Sequence, residues 1–151
     1  MRHQNSVFRD LLKLIPWSAF DRLVDEHGSD DLVRKFTTRH QLIALLYGQL
    51  AGACSLREIE TTMASHQARL YHVGGRVARR STFADANRSR SPLVFSELFQ
   101  HMLGMATRAV RRKMDGVVLL VDSTSLHLAG IGTQWARFSA DVCGAKAQCG
   151  L

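Results

Sequence analysis

A chain of 151 residues is long enough for one ordinary domain, or for a small domain and the beginning of a second. Hydrophobic residues supply 46% of it and proline only 2 positions, which excludes a chain that is mainly disordered. With 20 Lys and Arg against 13 Asp and Glu the formal charge is +7; this draws polyanions by long-range attraction and leaves open a basic surface that serves solubility alone.

The first apolar residues, Val7, Leu11, Leu12, Leu14 and Ile15, follow Asn5 at helical spacing and stop at Pro16, which predicts a short amphipathic helix. From Trp17 the spacing of Phe20, Leu23 and Val24 predicts a second helix that ends near Gly28 and pairs with the first as a hairpin. Thr37 or Thr38 can cap a third helix carrying Leu42, Ile43, Leu45, Leu46 and Leu50 as far as Gly52. It is apolar on nearly every side and should be central. Ser55 opens a fourth helix, with Glu58 completing a capping-box pattern and Leu56, Ile59 and Met63 facing inward. The third and fourth helices resemble a helix-turn-helix in outline, in which Arg57 either reaches bases or is simply solvated.

The stretch that follows holds Arg69, Arg76, Arg79, Arg80, Arg88 and Arg90, opposed only by Asp85. Gly74-Gly75 supplies a turn, and Ser81-Thr82 precedes a polar helical stretch over residues 83–87. Arg suits bidentate phosphate contact, so these guanidiniums and that of Arg57 are the candidate DNA-binding residues; a solvated basic loop is the alternative. Pro92 then starts a long helix to about Lys113, with Phe95, Leu98, Phe99, Met102, Met105, Ala106 and Val110 on its buried side. Arg108, Arg111, Arg112 and Lys113 complement the negative pole at its end or contact phosphate.

After Asp115-Gly116 the periodicity changes to the unbroken apolar run of residues 117–121, a buried strand that ends at Asp122 and can continue toward Gly130. The domain boundary is therefore expected at residues 113–116, giving a helical region over 1–113 and a second domain over 114–151. A carboxylate on a strand can hold Mg²⁺, because the strand fixes its position and hard cations demand oxygen; on the local pattern alone it can equally cap a turn.

Several constellations are missing. Cys54, Cys143 and Cys149 form no CxxC pair and are odd in number, so neither a disulfide framework nor a zinc knuckle is expected, and a reducing cytoplasm fits best. The 7 histidines are not spaced as zinc ligands. Residues 11–16 are too short an apolar core for a signal peptide. Residues 42–56 fall short of the roughly 20 that span a bilayer, so no membrane partner is expected. Ser123 and Ser125 lack the elbow of a nucleophilic serine, and no phosphate-binding glycine loop ends in Lys-Ser or Lys-Thr.

The order of basic helical region, long helix, strand and Asp-Ser-Thr-Ser resembles the transposases of the insertion sequence 4 family, bacterial DDE enzymes that cut and rejoin the ends of their own element. The resemblance covers nearly the whole chain. It rests on Phe8-Arg9-Asp10-Leu11-Leu12, Phe36-Thr37-Thr38-Arg39, Ser55-Leu56-Arg57-Glu58-Ile59-Glu60, Ser81-Thr82-Phe83-Ala84-Asp85-Ala86-Asn87 and Val121-Asp122-Ser123-Thr124. It implies N-terminal helices that bind element-end DNA, followed by a ribonuclease H-like α/β domain whose first strand carries a catalytic, Mg²⁺-binding Asp at Asp122.

The family's second Asp and its Glu have no counterpart here. Asp141 falls too soon after the first strand to take the second Asp's role, so a truncated or frame-shifted copy with an incomplete Mg²⁺ site is expected, inactive alone. The rival expectations are a DNA-binding inhibitor that pairs with itself or with an intact transposase, and a helical interaction module without DNA binding.

Overall fold

The computed structural model describes residues 7–113, 121–127 and 144–150. The chain divides into two compact units, Met1–Met102 and Leu103–Leu151. The described part is mainly helical: α1 (Val7–Leu12), α2 (Trp17–Glu26), α3 (Thr38–Leu50), α4 (Leu56–Ser65), α5 (Gln67–Tyr71), α6 (Arg80–Ser89) and α7 (Leu93–Lys113), then strands β1 (Val121–His127) and β2 (Gly144–Gly150).

In the first unit α3 is the central element, as its nearly uniform apolarity predicts. Leu42 and Ile43 join Leu12, Ile15, Phe20, Leu23, Val24, Val94 and Leu98 in one buried cluster that unites α1, α2, α3 and the start of α7. Ala44 belongs to a second cluster, with Phe36, Ile59, Met63, Leu70, Phe83 and Ala86, that packs α3 against α4, α5 and α6. A helix buried on two opposite faces shows no polar stripe, because neither face meets water. The expected pairing of α1 with α2 is present: their apolar residues share the first cluster, and Trp17 Nε1 donates to the Leu12 carbonyl at 3.1 Å.

Helix ends follow the local chemistry. At Gly28 and Gly52 the backbone turns left-handed (φ +56° and +68°), a conformation that costs glycine nothing. The next N–H in each case reaches back to satisfy a terminal carbonyl, Ser29 to Val24 at 3.0 Å and Ala53 to Gly48 at 2.9 Å. Ser55 caps α4 by accepting from the Glu58 N–H, and the Glu58 carboxylate returns to the Cys54 N–H at 2.8 Å. The start of α6 differs from the expected helical stretch over residues 83–87. The helix begins at Arg80, and the carboxylate of Glu60, brought across from α4, accepts from the Arg80 N–H at 2.8 Å. No local pattern announces a cap from a helix twenty residues upstream.

One helix has no counterpart among the expected elements, and one expected buried face needs correction. α5 is a single turn or so with one buried residue, Leu70. On α7 the buried positions are Val94 and Leu98, with Phe95 and Met102 partly buried, whereas Phe99 and Met105 are exposed. The inward stripe thus runs through Val94, Leu98 and Met102 at four-residue steps, and Phe99 falls off it.

In the second unit β1 and β2 pair antiparallel, with Asp122 opposite Cys149 and Ser125 opposite Lys146. The strand begins at Val121 and includes Asp122 and the alternating residues after it. Residues 117–120 of the expected strand, and Asp141, lie outside the described residues.

Candidate nucleic-acid interface

The loop after α5 shapes a basic surface of the first unit. Gly74 is left-handed (φ +76°), and the Gly75 N–H returns to the Leu70 carbonyl at 2.8 Å. This closes the end of α5 and turns the chain between two open clefts that share Gly74 in their walls.

The first cleft, about 580 Å³, is walled by Arg9 and Lys13 from α1 and its end, Trp17 from α2, Arg39 from α3, and His72 and Val73 from the loop. The second, about 940 Å³, is walled by His40, Gln67, Tyr71, Gly75, Arg76 and Val77. No Asp or Glu lines either cleft among the described residues. Clefts lined by one sign of charge concentrate counter-ions of the other.

Several of these cations are held in place. The Arg39 guanidinium lies 4.1 Å from the centre of the Trp17 ring, a cation–π contact, and 3.9 Å from Asp21 Oδ2. Lys13 pairs with Asp10 at 2.7 Å, both well exposed, so the pair contributes little and opens at small cost. Arg76 is exposed and donates to the Lys35 carbonyl at 3.2 Å.

His40 sits in the second cleft and closes the start of α3. Its Nδ1 accepts from the Thr37 N–H at 3.1 Å, and its own N–H donates to the Thr37 hydroxyl at 3.4 Å, a reciprocal cap with His in the place usually taken by Glu or Gln. That geometry requires an unprotonated Nδ1. Burial holds the His40 pKa below its ordinary value, and the Arg76 charge adds to the effect, as do Arg39 and Arg90, against an opposing pull from Asp30.

The seven arginines expected to meet DNA divide into distinct groups. Arg76 joins the cationic clefts. Arg57 is exposed in the first turn of α4, Arg69 in the last turn of α5, Arg79 and Arg80 at the start of α6, and Arg88 in its last turn. Arg69 lines a smaller recess with Ser65, His66 and Ala68.

Arg90 has a different role. Its side chain is 6% exposed, and its guanidinium donates to Gln41 Oε1 at 2.8 Å and to the Phe36 carbonyl and lies 3.5 Å from Asp30 Oδ1. Gln41, itself buried, donates on to Asn87 Oδ1 at 2.6 Å. Asp30 accepts from both the N–H and the hydroxyl of Thr38, at 2.7 and 2.8 Å. Arg90 therefore ties the end of α6 to the start of α3, and its donors are turned to protein acceptors rather than to a ligand.

Arg9, Lys13 and Arg39 were not among the expected DNA contacts. They are scattered between α1 and α3, and only folding collects them beside Arg76. A third cleft, about 610 Å³, pairs Arg34 and Lys35 with Asp31 and Asp85 and so lacks a single sign of charge.

Asp122, the candidate catalytic and metal-binding residue, stands second in β1. β1 (VDSTSLH) and β2 (GAKAQCG) offer no other carboxylate, and no group of three or more His, Cys, Asp or Glu stands together among the described residues. Two-metal phosphoryl transfer needs several carboxylates to balance the ions, and among the described residues Asp122 is the single carboxylate of the two strands. No helix among the described residues is long and apolar enough to cross a membrane.

Residues 3–76 match a family described as a domain of unknown function, DUF4372, so the N-terminal part of the chain carries that domain. The match spans α1 to α5 and includes Arg9, Lys13, Arg39 and Arg76, every Lys and Arg that lines the two adjoining clefts. No curated protein and no solved structure matches the chain.

Proposed function

We propose that this chain is the DNA-binding part of a transposition protein resembling the insertion sequence 4 family of DDE transposases. Residues 1–113 engage element-end DNA, and residues 114–151 contribute the opening of a ribonuclease H-like domain with Asp122 on its first strand. The observation that supports this best is the pair of clefts sharing Gly74, whose walls gather Arg9, Lys13, Arg39 and Arg76 and include no Asp or Glu among the described residues. A phosphodiester backbone is the extended polyanion that such a surface fits. Arg79, Arg80, Arg57, Arg69 and Arg88 lie exposed and extend the basic surface; Arg90 does not contribute.

No catalytic step is assigned to these residues. In a complete enzyme of the kind the sequence resembles, Asp122 would be one of several carboxylates holding Mg²⁺, which would supply Lewis-acid activation of the attacking oxygen and charge for the phosphate. A single carboxylate supplies neither the charge nor the bridging geometry for that. A second reading is that the chain occupies element ends as a competitor of an intact transposase. Cleavage of terminal DNA by the purified chain with Mg²⁺ or Mn²⁺ would sink both the non-cleaving role and this competitor reading.

The DNA reading is tested by fluorescence anisotropy with duplexes from the ends of the surrounding element, titrated at several salt concentrations. Four cations on four phosphates give a log-log slope of about −3.6, at about −0.9 per contact. The double substitution Arg39→Ala with Arg76→Ala should bring the slope to about −1.8, across all DNA sequences. A flat salt dependence in the unsubstituted chain would mean that the basic charge serves another purpose, as in a helical interaction module.

A further inference from the structure

The two clefts differ in chemistry as well as in size. The smaller holds Arg9, Lys13 and Arg39, point and planar cations suited to phosphate oxygens. The larger holds Tyr71, whose side chain is 78% exposed, together with the amide of Gln67 and the guanidinium of Arg76. Tyr71 is neither part of a hydrophobic cluster nor needed to close α5, whose buried residue is Leu70. Leaving an aromatic ring that far in water forgoes its burial. The ring meets His72 at 5.8 Å between centres with the two planes 76° apart, so the two rings are not stacked on each other.

We infer that the larger cleft takes an unpaired nucleobase of a DNA strand, stacked on Tyr71 and hydrogen-bonded by Gln67, while the neighbouring cleft holds the phosphates of the same strand. An amide carries both donors and an acceptor and so can pair with the edge of any base, and every base has a face to stack. The cleft volume of about 940 Å³ lies in the range of roughly 300–1,000 Å³ typical of small-ligand sites, enough for a base with its sugar. The commitment to a strand rather than a free nucleotide comes from the shared Gly74 wall, which puts phosphate-binding cations directly beside the stacking site. This deepens the DNA-binding reading and rests on it. Its consequence is a preference for DNA in which one base is already unpaired, since a paired base must first be unstacked to enter.

The test compares the full chain's affinity for a fully paired duplex, the same duplex with one unpaired base, and a free deoxynucleoside monophosphate. The expected result is an affinity about tenfold higher for the duplex with the unpaired base, within the range given by one base stacking on an aromatic ring. Tyr71→Ala should abolish that preference while leaving affinity for the paired duplex within about twofold, and Tyr71→Phe should keep it. Circular dichroism checks that Tyr71→Ala remains helical, as expected for so exposed a side chain. Equal affinity of the unsubstituted chain for the two duplexes overturns the inference and leaves DNA binding standing, as does a preference that survives Tyr71→Ala. Binding of the mononucleotide as tightly as DNA assigns the cleft to a free nucleotide and also overturns it. Failure to bind any DNA at low salt removes the reading beneath it.

Discussion

Substituting Arg90→Met separates a structural arginine from a ligand-binding one. Methionine retains most of the stem's volume and removes the guanidinium, so the loss falls on polar partners rather than on packing. Gln41 Oε1 and the Phe36 carbonyl lose their donor, and both residues are buried, so each acceptor costs about 1–3 kcal/mol if nothing replaces it. Asp30 loses less, because it is partly exposed and keeps both bonds from Thr38. Against these, the variant no longer desolvates a guanidinium, which returns part of the loss. The balance is about 3 kcal/mol of destabilisation, at the lower end of the roughly 3–5 kcal/mol seen when one partner of a buried pair is removed. For a unit of this size that is a fall in melting temperature of about 12–24 °C, at about 4–8 °C per kcal/mol. Thermal unfolding followed by helical circular dichroism reads it directly, with Arg76→Met as the exposed control expected to shift by less than about 4 °C. A comparable small shift for Arg90→Met, accompanied by a lower salt slope for DNA, would refute the reasoning and return Arg90 to the phosphate contacts.

His40 predicts a pH dependence of stability. Its folded pKa lies below 6.5, so between that value and 6.5 the unfolded chain binds the extra proton. The contribution is therefore complete above about pH 6.5 and is lost as pH falls toward the folded value. Urea midpoints should decline over that interval, and His40→Gln, which keeps a capping partner without a titrating group, should remove this component. A profile unchanged by the substitution would reject the cap's role. Gly48→Ala should destabilise by about 1–2 kcal/mol. An added Cβ would stand 2.7 Å from Cγ1 and Cδ1 of the buried Ile59, and overpacking outweighs the gain of at most about 1 kcal/mol in helix propensity. Equal or higher urea midpoints would show that Ile59 yields freely. Glu60→Ala removes the cap from α6 and should cost about 1 kcal/mol in the same assay; an unchanged midpoint would mean that water replaces the carboxylate without loss.

The helical core was legible because its information is local. Apolar spacing marks α1 to α4, and Gly28, Gly52 and Ser55 mark three of their ends. The centrality of α3 was also visible, since a helix with no polar face has to be covered on several sides. What escaped the sequence depends on long-range pairing: Glu60 capping α6, Arg90 reaching Phe36, and Gln41 bonding Asn87 join residues 20, 54 and 46 positions apart. The stripe on α7 was misjudged for a related reason. Phe99 is as apolar as Val94, and only the location of the packing partners decides which of them is buried.

Charge shows the same division more sharply, and it bears on function. The linear density of arginine is greatest from Arg69 to Arg90, yet that stretch contains both Arg76, exposed in the cationic clefts, and Arg90, enclosed by Asp30, Gln41 and Phe36. Conversely, Arg9, Lys13 and Arg39 lie in ordinary mixed sequence and become neighbours only because the turn at Gly74 lies between α1, α3 and the end of α5. A polyanion responds to charge gathered in space, not along the chain. The residues that satisfy this condition fall within 3–76, the extent of the DUF4372 match, while Arg79, Arg80 and Arg88 lie beyond it. If the chain binds DNA, the matched domain already contains a sufficient site, and the later arginines extend its reach rather than create it.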